Sequence, residues 1–159
     1  AFPIFGLPRV MSSAADVRAL FAAVPSPACG LTFCVGSLGS NGANDLPAIL
    51  AEFAPRVHFA HLRSVQREPD GSFHEANHLE GDGDLIGLVA LLLREEARRR
   101  AEGRADADLP MRPDHGPLIG GDDPTRSNPG YSYVGRLKGL AELSGAMRAL
   151  ERLSRAGAA

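Results

Sequence analysis

The sequence predicts an α/β fold of parallel βαβ units, either a doubly wound sheet or part of a (β/α)8 barrel, on three observations. Short apolar runs of strand character alternate with stretches of helical periodicity, clusters of Gly, Ser, Asn and Pro separate them, and each strand-like run ends in a polar side chain. Three such units in 159 residues fall short of the roughly 250 residues of a complete barrel, so the barrel reading makes residues 1–159 one partial domain, a little over half of the whole.

Each element has its own justification. Ser12, Ser13 and Asp16 are N-cap candidates for a helix whose apolar face is Val17, Leu20, Phe21 and Val24, and Pro25 and Pro27 stop it. Residues 31–35, Leu-Thr-Phe-Cys-Val, read as a buried strand, residues 36–44 as a loop, and residues 45–53 as a helix. Residues 57–62 form the second strand; a long polar loop leads to a second helix over residues 84–100. Residues 109–114 are the third strand in spite of Pro110 and Pro113, followed by a loop to about Asn128 and a helix over residues 134–153.

Composition narrows the function classes. With 17 basic against 19 acidic residues and a net charge of -2, the chain has no electrostatic footprint for nucleic acid. The basic stretch from Arg94 to Arg100 is interleaved with Glu95 and Glu96 and reads as a solvated helix face. The apolar run from Leu85 to Leu93 is far shorter than the ~20 residues of a membrane span. Two cysteines, Cys29 and Cys34, make no disulfide framework, which predicts a reducing, cytoplasmic setting. The start, Ala1-Phe2-Pro3-Ile4, has neither Met nor a basic signal region and is expected to lie within a longer protein.

Candidate chemistry collects at the strand ends. Period-two alternation sets Phe59, His61 and Arg63 on one side of the second strand and pairs Arg112 with Asp114 on the third. Parallel α/β folds build their sites at the carboxyl ends of strands, where Cys34, His61 and Asp114 converge and suggest a borderline divalent metal. His115, on the turn before Gly116, is a general acid/base candidate, and Arg63 and Arg112 are suited to gripping a substrate carboxylate or to a structural ion pair. The loop from Asp70 to Asp84 holds His74, His78 and several carboxylates; a covering loop capped by Asp82 or Asp84 at the next helix fits it better than a second metal site.

The blocks Phe5-Gly6-Leu7-Pro8-Arg9, Gly30 to Gly39, Val57 to Arg63, Ser72-Phe73-His74-Glu75, Arg112-Pro113-Asp114-His115-Gly116, Asn128-Pro129-Gly130-Tyr131-Ser132 and Gly135 to Leu140 together resemble the mannonate dehydratase family over nearly the whole chain. The resemblance implies the C-terminal part of a xylose-isomerase-like (β/α)8 TIM barrel that dehydrates D-mannonate to 2-keto-3-deoxy-D-gluconate with Mn2+ or Fe2+ in hexuronate breakdown. It implies metal ligation by Cys34, His61 and Asp114, and an acid/base pair of His115 and Tyr131, with Tyr133 as the competing tyrosine. A further metal-binding histidine of the family is expected upstream of Phe2. The full-length form is expected to be a homo-oligomer acting on a small sugar acid, with no nucleic-acid or membrane partner. The rivals are a divalent-metal sugar isomerase or epimerase of the same barrel class, which usually carries more carboxylate ligands, and an inactive half-barrel with open strand edges.

Overall fold

The computed structural model describes residues 5–7 and 10–157; of the amino-terminal block, Pro8 and Arg9 lie outside the described residues. A capping box at Ser13, with Asp16 returning the bond, starts α1 (Ala14–Ala23). Strand β1 (Leu31–Cys34) runs directly into a short helix, α2 (Val35–Gly39), where the sequence predicted strand and then loop. Two glycines and Ser37 permit the turn, and the Ser40 N–H closes it on Gly36 O at 2.9 Å.

Asp45 caps α3 (Leu46–Phe53) by accepting from Ala48 N, with Pro47 in the first turn, where its missing N–H costs nothing. A 3-10 turn (Ala54–Arg56) leads to β2 (Val57–Leu62). The long polar loop then contains an element the sequence reading missed, an antiparallel hairpin of β3 (Val65–Arg67) and β4 (Phe73–Glu75), with Gly71 at φ 85° in its connection. Asp84 caps α4 (Leu85–Ala101) through Gly87 N, while Asp82 instead accepts from Arg67 N. Strand β5 (Met111–Pro113) is half the predicted length, with Pro110 before it and Pro113 as its last residue. Helix α5 (Tyr133–Gly157) closes the described chain.

The main sheet is parallel, ordered β1-β2-β5, so strand order follows chain order with no reversal. Helices α3, α4 and α5 pack on one another in the same succession. The core lies between sheet and helices: Phe33, Ala60 and Leu62 of the strands meet Leu50, Leu88, Val89 and Leu92 of the helices, all at 0–1% exposure. The opposite face carries Thr32, Cys34, Phe59 and His61 and is covered far less. Register slips by one between Leu31 and Thr32, so that His58 is passed over by β1; this bulge leaves His58 exposed, its ring against Gly30.

The Arg94 to Arg100 segment corrects the expectation of a solvated face in part: Arg94, Arg98 and Arg100 are exposed, but three of its charged side chains are buried. Arg99 is 1% exposed and Glu95 and Glu96 are buried. Arg99 donates to Glu95 Oε1 (2.7 Å) and to the carbonyls of Ala54 (2.7 Å), Val57 (2.8 Å) and Asp106 (3.0 Å). Glu96 Oε1 accepts from Leu109 N at 2.7 Å. The run therefore binds the amino ends of β2 and β5 to α4.

Candidate active site at the carboxyl ends of the strands

Sheet register puts Cys34 of β1 beside His61 of β2, and His61 beside Arg112 of β5, in one row across the three strands. Side chains of residues in register point to the same face. Asp114, one residue past β5, turns back so that its Oδ1 lies 3.0 Å from His61 Nε2. Burial pushes the His61 imidazole below its ordinary pKa, the Arg112 guanidinium adds to this, and the Asp114 carboxylate opposes it. The shift favours the neutral imidazole, the form that lends a lone pair.

The expected meeting of three donors is only partly realised. Among the described residues no group of three His, Cys, Asp or Glu side chains is gathered to hold a metal ion. The reason is local chemistry: Cys34 Sγ accepts from Ser37 Oγ at 3.1 Å, and Arg112 donates both to His61 Nε2 (3.0 Å) and to Asp114 Oδ1 (3.2 Å). In kind the donors still fit a borderline divalent cation, since a neutral imidazole and a carboxylate oxygen already converge and a thiol occupies the adjacent register position. In the loop, His74 is paired with Glu68 and His78 is buried.

Arg63, just beyond β2, is committed to a neighbour that sequence reasoning gave no role. Its Nε lies 2.9 Å from Glu75 Oε1, its Nη2 makes a second bond to the same carboxylate, and its guanidinium sits 5.5 Å from the centre of the Phe73 ring. Burial works against its charge and the Glu75 hydrogen bonds outweigh this, raising its pKa. The stem passes over Gly36, where any Cβ would collide with it. Glu75 and Phe73 both come from the hairpin. The one signal in the sequence was their place in the Ser72-Phe73-His74-Glu75 block.

His115 and Tyr131 are brought together by two loops sewn to each other. Gly116 N donates to Gly130 O (2.8 Å), Ser132 N donates to Gly116 O (3.3 Å), and Gly130 takes φ 78° to make the turn. Ser132 then caps α5 through Gly135 N at 2.8 Å, its own hydroxyl donating to Asp122 Oδ2 at 2.6 Å. The close approach requires Gly116 and Gly135, since a Cβ on either would overlap the main chain opposite. The rings of His115 and Tyr131 meet edge to face at 4.7 Å between centroids, and Tyr131 is half exposed. Tyr133 stands on the first turn of α5, 68% exposed. His115 Nδ1 lies 3.1 Å from both Asp114 Oδ2 and Glu75 Oε2, yet is buried without an aligned hydrogen bond.

Beneath this site is His78, 2% exposed, with its ring against Gly139 of α5. Burial pushes its pKa down and Glu142 opposes the shift. No helix among the described residues is long and apolar enough to cross a membrane.

A neutral imidazole, a carboxylate, two guanidiniums and a His–Tyr pair within one rim can bind an anion and exchange protons with it. Comparison with known proteins gives this chemistry a family. The sequence profile of a family described as D-mannonate dehydratase (UxuA) matches residues 1–156. The mannonate dehydratase of Saccharophagus degradans is 57% identical over 155 residues, covering 97% of this chain and 39% of that protein. Mannonate dehydratase 2 of Agrobacterium fabrum is 55% identical over 151 residues, or 95% and 38% of the two chains. The crystal structure of mannonate dehydratase from Streptococcus suis serotype 2 superposes with a TM-score of 0.81 at 32% identity, covering 96% of this chain and 41% of that one. The chain thus spans about two fifths of the length of the relatives it matches.

Proposed function

Because the chain belongs to the D-mannonate dehydratase family, we propose that it works as the carboxyl-terminal part of a (β/α)8 enzyme, xylose-isomerase-like, that converts D-mannonate to 2-keto-3-deoxy-D-gluconate in hexuronate breakdown. Support for the barrel comes from sequential strand order, consecutive helix packing and the short cover over the Thr32 and His61 face. A doubly wound sheet would reverse its strand order at a switch point. The free thiols Cys29 and Cys34 accord with a cytoplasmic enzyme.

The observation that carries the chemistry is the His115–Tyr131 pair beside the His61–Asp114 contact, all at one end of the sheet. Dehydration removes the proton from the carbon next to the carboxylate and expels the neighbouring hydroxyl as water, leaving an enol that becomes the 2-keto acid. One group must take a proton and another must give one. His115 and Tyr131 divide these tasks, being two proton carriers in ring contact. Arg112, 57% exposed in its side chain and held against His61 and Asp114, can turn to the substrate carboxylate; Arg63 supplies fixed positive charge behind it. Cys34, His61 and Asp114 would hold the divalent cation, Mn2+ or Fe2+, which when bound supplies Lewis-acid stabilisation of the negative charge developing beside the carboxylate.

The test is 2-keto acid formation from D-mannonate by the chain extended upstream through the segment expected to carry the further histidine. Activity and bound metal lost together in Cys34→Ala, His61→Ala or Asp114→Ala are the expected result. A folded, metal-loaded extended protein that leaves mannonate untouched would overturn the substrate assignment.

A further inference from the structure

We infer that Glu75 is a positioning residue for His115, acting through the imidazole Nδ1, and that the hairpin exists at this point of the chain to deliver it. The inference rests on the reading of His115 as a proton carrier in the dehydratase reaction. Its observations are independent of that reading.

A histidine that takes or gives a proton at one nitrogen must have the other nitrogen's state fixed, or the wrong tautomer faces the substrate. His115 Nδ1 is buried and has two carboxylates within 3.1 Å, one from Asp114 and one from Glu75. Asp114 is already occupied: its Oδ1 faces His61 (3.0 Å) and Arg112 (3.2 Å), and its Oδ2 faces Arg63 at 3.9 Å. It is also a proposed ligand, whose charge would be spent elsewhere. Glu75 has one other cationic partner, Arg63, which grips it with two nitrogens and fixes the plane of its carboxylate.

Glu75 is anchored at every step back to the sheet. Val65 and Glu75 are paired across the hairpin, Ala76 N donates to Ser64 O at 3.0 Å just past β2, and the Arg63 stem lies over Gly36. Gly130 closes the other side, with a would-be Cβ 3.4 Å from the His115 ring and 3.8 Å from the Glu75 stem. The carboxylate is thus held between Arg63 and His115 with little room to turn away. The imidazole is held from its buried Nδ1 side, with Nε2 on the side that meets substrate.

Two substitutions in the metal-loaded, upstream-extended protein test this. Glu75→Gln keeps the volume and one acceptor for Arg63 but removes the charge that faces Nδ1. Glu75→Asp keeps the charge and withdraws it by one methylene. Both are expected to lower kcat about 10- to 100-fold while KM for mannonate stays within about twofold of the parent, the scale of losing an orienting partner. Imidazole 15N spectra of the same proteins, loaded with diamagnetic Zn2+ for this measurement, read His115 directly: the parent shows the Nδ1–H form, and both variants show a mixed or Nε2–H population. Unchanged kcat, or an unchanged His115 spectrum, overturns the inference. A parent inactive on mannonate would count against the function above, while the His115 spectra still decide for or against Glu75.

Discussion

Two arginine-centred clusters occupy opposite ends of the same sheet, and they are built on opposite terms. At the amino ends, Arg99 spends its donors on Glu95 and three main-chain carbonyls, is 1% exposed, and leaves nothing unsatisfied. At the carboxyl ends, Arg63 and Arg112 surround Asp114 with charges that are half satisfied and partly open to solvent. The buried polar side-chain atoms without a partner among the described residues, Ser64 Oγ, His78 Nδ1, His115 Nδ1 and Glu142 Oε2, all belong to the carboxyl-end site or the layer beneath it. One cluster holds the strands in place; the other gathers proton carriers and charges at the rim of the site.

The comparison can be broken from either side. The largest effect is expected at the saturated end: Arg99→Ala breaks the buried pair with Glu95, which keeps only Arg98, and removes the side-chain donor to the Ala54 and Val57 carbonyls, at a cost of about 3–5 kcal/mol read from urea unfolding. Next comes Gly135→Ala, where the added methyl meets Pro117 O and pushes α5 off the site loops. A loss of about 1–3 kcal/mol in the same assay is expected. A third effect is smaller and depends on pH. Hydrogen bonds from Arg98 and Arg99 hold the Glu95 carboxyl below its usual pKa against the pull of burial.

Because the unfolded chain binds that proton more readily, the Glu95 contribution is full above the ordinary carboxylate pKa of about 4.3 and disappears as pH falls through the lower folded value. The fall in unfolding free energy from about pH 5 to about pH 3 should therefore be smaller in Glu95→Gln than in the parent; equal falls would remove Glu95 from the account. The smallest stability effect is expected from Arg112→Ala at the open end, within about 0.5 kcal/mol, although in the upstream-extended enzyme it should raise KM for mannonate. If Arg112→Ala instead destabilises the chain as Arg99→Ala does, the two ends are not different in kind.

The same contrast explains what was legible in the sequence. Helix α2 stands where a loop was expected, whereas helices α1, α3 and α4 announced themselves by caps and periodicity, and β1 and β2 by their apolar runs. The hairpin did not, because three-residue strands such as Phe73-His74-Glu75 are too short and too polar to carry a period. Arg99 was misread because a charged run on a helix has the pattern of a solvated face; its burial comes from main-chain carbonyls 42 and 45 residues away, which no local pattern encodes. At the site, strand-end placement named His61 and Asp114, which the structure brings within 3.0 Å of each other. Register had to show that Arg112, not Asp114, stands level with His61, and that Cys34 is turned to Ser37. The contact of His115 with Tyr131 depends on Gly116 and Gly135 letting two loops touch, a fact of three dimensions that sequence records only as two glycines.

The brevity of β5 has a consequence for how the chain behaves among other chains. Ala60 N bonds to Pro110 O, so residues 110 and 112 address β2 and, by alternation, residues 111 and 113 address the open edge. Pro113 brings no N–H to that edge, and the strand ends there. A stray strand docking on it finds Met111 and then a missing donor. This edge of the sheet is therefore a poor template for amyloid-like growth.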